Sequence, residues 1–197
     1  MNILVRPDGP HATTGAISYK ERMFPCVLGR SGMIAGDAKR EGDGATPAGV
    51  YPLRRLWYRA DKFEQEPVCA LPKRVITSSD GWSDDVNTPN YNRPIELSST
   101  NGTYNDDGTF TAAPGTESHE CLLRPNDDLY DLLVEIGYND NPPVPGLGSA
   151  ISLHVARPAF TPTAGCIAMK KEDLLELLAM MDTETRIEIL EIPSNPS

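Results

Sequence analysis

Two residues that can carry out acyl transfer together, His154 and Cys166, lie twelve positions apart in the stretch SLHVARPAFTPTAGCIAM. A cysteine thiolate attacks carbonyl carbons well, and a neighbouring imidazole can take up the thiol proton near neutral pH. Gly165 lets a carbonyl approach the cysteine and leaves nearby backbone N–H groups free to bind an oxyanion. We therefore predict Cys166 as a nucleophile and His154 as its base. On composition alone, a packing role for both residues explains them equally well.

The segment around the histidine predicts a strand that presents it to a site. In ISLHV, the aliphatic residues alternate with polar ones, so His154 lies on the opposite face from the aliphatic side chains. The strand ends at Pro158, and the loop AFTPTAG brings the chain back to Cys166. The two side chains can therefore meet.

The other elements are predicted from the spacing of apolar residues. MNILVRP, AISYK, FPCVLGR and GVYPLRRLWYRA predict short strands, and the polar stretches SSDGWSDDVNTPNYNRP and SSTNGTYNDDGTFTAAPGTES predict long loops. DDLYDLLVEIGYND predicts a helical turn leading into a strand. KKEDLLELLAMMD predicts an amphipathic helix, and TRIEILEI a last strand. We predict a single mainly β (α+β) domain over residues 1–192, with this C-terminal helix packed against it and 193–197 as a disordered tail.

Composition excludes several classes of function. The 197 residues are 39% hydrophobic, enough for the core of one domain, and the net charge of -10 disfavours binding to nucleic acid or anionic lipid. The four cysteines form no CxxC pair and are too sparse for a disulfide scaffold. No stretch predicts membrane insertion, and the N-terminus MNILVRPDGP contains no secretory leader, so we expect a cytoplasmic protein, with the periplasm as the alternative.

Two motifs resemble the L,D-transpeptidase (YkuD-type) catalytic domain family. TAGCIAM, preceded by a strand histidine, is similar to the family's His, spacer, Ser/Thr-His-Gly-Cys signature. GDGATPAGVYPL is similar to its Thr-Pro-x-Gly segment, with Thr46, Pro47 and Gly49 at the matching positions. The two matches together span most of the chain.

The resemblance implies a β-sandwich or barrel-like domain that acts on the stem peptide of peptidoglycan without a cofactor or metal. It implies Cys166 as nucleophile, His154 as base and the backbone amides of Gly165 and Cys166 as the oxyanion site. Thr163 occupies the Ser/Thr position of the signature and is expected to contact substrate. A backbone carbonyl is implied as the group that orients His154.

The chain departs from the family pattern at three places. Ala164 stands where the family usually has a second histidine, Ala168 stands where an arginine or asparagine often follows, and the spacer after His154 is shorter. His119, in TESHECLLRP, can compensate by entering the site from another loop. A surface position for this histidine is an equal alternative.

Arginines are expected to bind the carboxylates at the end of a stem peptide, because a guanidinium holds a carboxylate with two hydrogen bonds. Arg157, three residues after His154, is the first candidate, followed by Arg93 and Arg124. For each of them, a solvated surface charge is the alternative.

The predicted function is a cysteine enzyme that attacks the bond between diaminopimelate and the terminal D-Ala of a tetrapeptide stem and forms a thioester. Water resolves the thioester in an L,D-carboxypeptidase, which we favour, and an amine of another stem resolves it in an L,D-transpeptidase. Two other classes remain open: a zinc hydrolase with His119, His154 and Cys166 as ligands, and a catalytically silent wall-binding module. No oligomeric state is predicted.

Overall fold

The computed structural model describes residues 1–98, 102–104 and 110–191. Residue 192, at the end of the predicted domain, and the predicted tail 193–197 lie outside these ranges. The described elements are β1 (Asn2–Pro7), β2 (Thr14–Tyr19), β3 (Arg22–Val27), β4 (Met33–Ala35), β5 (Thr46–Tyr58), a 3₁₀ turn (Ala60–Lys62), β6 (Lys73–Val75), β7 (Asp80–Ser83), β8 (Arg93–Glu96), β9 (Gly102–Tyr104), β10 (Phe110–Ala112), β11 (His119–Cys121), β12 (Leu132–Ile136), β13 (Ser152–Val155), β14 (Ile167–Met169), α1 (Lys171–Met180) and β15 (Arg186–Ile189).

The main sheet closes into a barrel. Its strands follow the order β12-β13-β14-β3-β2-β1-β15-β5, and β5 also pairs with β12, which joins the two ends. Strands β4 and β6 add to β5 outside this ring. The predicted mainly β fold with a barrel-like sheet and one C-terminal helix is confirmed.

The principal core forms because apolar residues alternate along the barrel strands and recur at helical spacing in α1. In β1, Ile3 and Val5 are fully buried while their neighbours are more exposed. In α1, Leu174, Leu177 and Leu178 are buried in the same core. Full burial of such side chains stabilises the fold by about 1.5–3 kcal/mol each. Among the described residues, no helix has the length and apolar character needed to cross a bilayer.

Part of the predicted local structure is wrong. The two polar stretches contain the short strands β7, β8, β9 and β10, and are not simply loops. Strands β7 and β8 pair with each other, and β7 also pairs with β11, which lies far away in the sequence. The helical turn predicted before β12 is an ordinary turn, in which Asp131 N–H donates to the Asp128 carbonyl. The strand predicted after it is β12.

A second, three-stranded sheet in the order β11-β7-β8 lies beside the barrel. A second hydrophobic cluster joins the two sheets, with Trp57 of β5 and Leu133 of β12 packed with Trp82 of β7. Tyr130, just before β12, belongs to the same cluster. The small sheet is therefore held against the face of the barrel on which His154 projects.

Candidate active site

One cavity of about 220 Å³ collects most of the side chains selected from the sequence. Residues of β13, β14 and the segment between them line it, together with residues of β11 and of the segment that follows β11. The cavity thus lies between the barrel and the small sheet. Among the residues that line it are Cys166, His154, Thr163, Arg157 and Arg124.

The parallel pairing of β13 with β14 places the cysteine and the histidine on one face. Leu153 pairs with Ile167 and His154 with Ala168, so Ser152 lies beside Cys166, one position before β14. Residues two positions apart in a strand project to the same side. Ser152, His154 and Cys166 therefore share the face opposite the main core, as the alternation in ISLHV predicted.

The thiol of Cys166 contacts polar groups at the start of β13 and just before it. Its Sγ–H donates to the Ala150 carbonyl at 3.2 Å, and the Ser152 hydroxyl lies 3.4 Å from Sγ. Burial raises the pKa of the thiol from its ordinary 9.0 to about 11, against the lowering effect of the Ser152 contact. Cys166 is thus a protonated thiol at neutral pH.

His154 is held in one tautomer by a backbone carbonyl, as the family resemblance implied. Its Nδ1 lies 2.9 Å from the Val155 carbonyl, which can only accept, so Nδ1 carries the hydrogen and Nε2 keeps a lone pair. The ring of Tyr130 packs edge-on against the imidazole, with 5.5 Å between the ring centroids. Burial lowers the pKa of His154 from 6.5 to about 4, so the imidazole is neutral and able to accept a proton.

The turn that presents Cys166 is braced by the hydroxyl of Thr163, a residue that also lines the cavity. The Thr163 hydroxyl donates to the Cys166 carbonyl at 2.6 Å and accepts from Gly165 N–H at 3.1 Å. Gly165 has a φ of 144°, and a Cβ there would lie 3.0 Å from the Ala45 carbonyl oxygen. The turn therefore needs glycine. One of the two predicted oxyanion donors, Gly165 N–H, is already engaged within the turn.

The Thr-Pro-x-Gly segment supports this turn indirectly, through Gly29. Thr46 is fully buried, and its hydroxyl accepts a hydrogen bond from Gly29 N–H at 2.8 Å. Gly29 in turn forms an isolated parallel bridge with Thr163. The motif thus contributes to the site through the position of the cysteine turn.

The two arginines that line the cavity differ in their partners. Arg124 forms a two-point ion pair with Asp127, with Nη2 at 2.8 Å and Nε at 3.0 Å from the carboxylate. Arg157 is exposed, and its guanidinium has no hydrogen bond or ion pair with the residues that the structure describes. Of the two, Arg157 is the guanidinium available to a ligand.

Two predicted residues lie away from the cavity. His119 belongs to β11, where it pairs with Ser83 and its Nδ1 lies 2.8 Å from the Glu117 carbonyl. The next residue, Glu120, lines the cavity, so strand alternation directs His119 to the other face. Arg93 begins β8 and is exposed outside the cavity. The structure therefore does not bring either residue to Cys166.

Sequence reasoning missed two residues of this site, Glu120 and Tyr130. Both line the cavity with Cys166, and the Tyr130 hydroxyl donates a hydrogen bond to Glu120 Oε1. Nothing in the local sequence joins them, because their proximity depends on the packing of β11 against the barrel. The alanines at the family's polar positions, Ala164 and Ala168, line the same cavity.

The described residues offer no cluster of three His, Cys, Asp or Glu side chains that could hold a metal ion. The zinc ligand set considered from the sequence also requires His119, which faces away from Cys166 and His154. The positions of His119, His154 and Cys166 therefore do not support the zinc site that the zinc-hydrolase alternative requires.

Comparison with known protein families yields a match. The family model of YkuD, described as the L,D-transpeptidase catalytic domain, matches residues 15–189. That range includes His154, the cysteine turn and the Thr-Pro-x-Gly segment. No curated protein and no solved structure matches the chain.

Proposed function

The chain belongs to the YkuD family of L,D-transpeptidase catalytic domains, and on this premise we propose that it is an L,D-carboxypeptidase of peptidoglycan stem peptides. Cys166 attacks the carbonyl between diaminopimelate and the terminal D-Ala of a tetrapeptide stem, and water resolves the thioester. The observation that carries the proposal is the shared cavity, which is lined by a thiol, a neutral imidazole and a guanidinium that has no ion pair with the described residues.

The first half-reaction uses the thiol and the imidazole. The thiol proton moves to Nε2 of His154 as Sγ attacks the carbonyl carbon, which is the general-base role open to a neutral imidazole. The C–N bond then breaks, and His154 returns the proton to the amine of the departing D-Ala. The diaminopimelate carbonyl remains on Cys166 as a thioester.

Arg157 supports recognition of a chain end. A terminal D-residue carries a free carboxylate, and the guanidinium of Arg157, which none of the described residues pairs, can bind it with two hydrogen bonds. The positive charges of Arg124 and Arg157 also reach His154, where they help to keep the imidazole neutral by lowering its pKa.

Water as the acceptor is supported by the size of the cavity at the cysteine. A space of about 220 Å³ accommodates the end of one stem and a water molecule more readily than two peptide chains. The transpeptidase outcome is the second candidate, because an adjoining cavity of about 550 Å³ shares Leu129 and Arg157 with the first. A second stem could approach through it.

The products of a tetrapeptide stem incubated in ¹⁸O-labelled water test the proposal. We expect free D-Ala and a tripeptide with one ¹⁸O in its new carboxylate, both with and without an added amine acceptor. Cys166→Ala should yield neither product. Cross-linked dimers as the main product, without ¹⁸O, would replace the carboxypeptidase assignment with the transpeptidase one.

A further inference from the structure

Glu120 is a carboxylate that the first half-reaction does not use. It lies in the middle of β11 and lines the cavity that contains Cys166. It also lines a small cavity of about 20 Å³ next to it, together with Ser152. A space of that size is large enough for one water molecule with polar neighbours.

Glu120 faces the nucleophile from the other sheet. Cys166 and His154 lie on the barrel side of the cavity, whereas Glu120 lies on the small sheet. The acyl group of a thioester extends from Cys166 into the cavity. A nucleophile that reaches the thioester carbonyl from the cavity therefore crosses a space that both His154 and Glu120 line.

The electrostatic effect of Glu120 on the free thiol is unfavourable. After desolvation, which is the largest cause, its negative charge also raises the pKa of Cys166, so it opposes formation of the thiolate. A carboxylate at this position thus hinders attack on the peptide. It assists only a step in which a positive charge develops or a proton must be accepted.

We propose that Glu120 is the proton acceptor for the nucleophile that resolves the Cys166 thioester, an assignment that rests on the function proposed above. Water adds to the thioester carbonyl and gives a proton to the Glu120 carboxylate. The C–S bond breaks, and the proton passes from Glu120 to the leaving thiolate, which restores the thiol and releases the acid. No other reactant is required.

The surroundings of Glu120 suit this role. The Tyr130 hydroxyl donates to Oε1, and Arg124 Nη1 lies 3.8 Å from the same oxygen. Desolvation raises the pKa of the Glu120 carboxyl above its usual range, against the lowering effects of the Tyr130 hydrogen bond and of Arg124. A carboxylate with a raised pKa is a better proton acceptor. Tyr130 is a positioning residue, since its hydrogen bond fixes the carboxylate and its ring packs on His154.

Single-turnover kinetics of Glu120→Gln test the assignment, because the variant should change the two half-reactions in opposite directions. Release of the first equivalent of D-Ala should be as fast as in the wild type or faster, and alkylation of Cys166 by iodoacetamide should not slow. Hydrolysis of the thioester should fall by about 10²-fold or more, the usual range for general-base catalysis. The acyl-enzyme should accumulate in the intact-protein mass spectrum, and Glu120→Asp should restore part of the hydrolysis rate.

Glu117→Gln is the matched control, since Glu117 is a nearby carboxylate that binds Ser83 and Asn90 outside the cavity. It should behave as the wild type. If the wild type turns over through an acyl-enzyme and Glu120→Gln hydrolyses it equally fast, the Glu120 assignment alone is wrong. Equal slowing of both half-reactions in Glu120→Gln would also overturn it, as a purely structural effect. If the wild type never forms an acyl-enzyme, the proposed function fails and the assignment fails with it.

Discussion

The proposed catalytic pair is uncharged at rest because His154 is buried and the half-buried thiol of Cys166 is also largely desolvated. Desolvation raises the pKa of Cys166 to about 11 and lowers that of His154 to about 4. The thiol hydrogen is directed to the Ala150 carbonyl, and the imidazole hydrogen to the Val155 carbonyl. Proton transfer between the two residues therefore accompanies the arrival of a substrate carbonyl, and a thiolate–imidazolium pair does not pre-exist.

The buried imidazole predicts a specific pH dependence of stability. Since the pKa of His154 is about 4 in the folded protein and 6.5 unfolded, the unfolded chain takes up the proton first as the pH falls. The stabilisation that comes from keeping His154 neutral in the folded protein is present in full above pH 6.5. As the pH falls from 6.5 to about 4, the free energy of unfolding decreases by about 3 kcal/mol.

Urea unfolding of wild type and His154→Gln at several pH values measures this contribution. The wild type should lose more of its free energy of unfolding than the variant as the pH falls through this window. Parallel curves for the two proteins would show that His154 is not a buried neutral imidazole.

At the scale of elements, the site depends on the turn between β13 and β14. The Thr163 hydroxyl holds two backbone groups of this turn, and the bridge to Gly29 ties it to the buried Thr46. The parallel register of the two strands then sets which side chains share a face. The turn and the register together fix Cys166 relative to His154.

Thr163→Val should reduce both activity and stability. It leaves the Cys166 carbonyl and Gly165 N–H without their partner, which costs about 1–3 kcal/mol of the free energy of unfolding. The rate of D-Ala release should fall at least tenfold through kcat, because the nucleophile is no longer held in one position. Thr161→Val is the control, at another threonine that lines the cavity. This variant should retain most of the activity and of the stability. A change in KM alone for Thr163→Val would instead favour the substrate contact first expected of this residue.

The sequence predicted those strands and helices that show a regular spacing of apolar residues. Apolar alternation was sufficient for β1, β2, β3 and β13, and the leucines of α1 repeat at helical spacing. Strands β7 and β8 were missed because they are short and begin within polar stretches, and because β7 pairs with a distant strand. Glu120 was missed for the same reason, since its nearness to Cys166 comes from sheet packing. For His119, strand alternation could not be applied before β11 was known to be a strand.

At the scale of the whole molecule, the site lies at the interface between the barrel and the three-stranded sheet. The barrel supplies Cys166 and His154, and the small sheet supplies Glu120. The hydrophobic cluster around Trp57 and Trp82 holds the two together. The protein as a whole carries a charge of -10, whereas Arg157 offers a local positive charge at the cavity. This arrangement favours a small anionic chain end over an extended polyanion.

The measurement that most directly tests the central claim is the mass of the protein during its first turnover. Wild-type protein mixed with a tetrapeptide stem and quenched in acid should gain the mass of the tripeptide acyl group, and peptide mapping should locate it on Cys166. Cys69→Ser, which changes a cysteine outside the cavity, should form the same adduct, and Cys166→Ala should form none and release no D-Ala. An adduct on another cysteine, or D-Ala release by Cys166→Ala at the wild-type rate, would contradict the account.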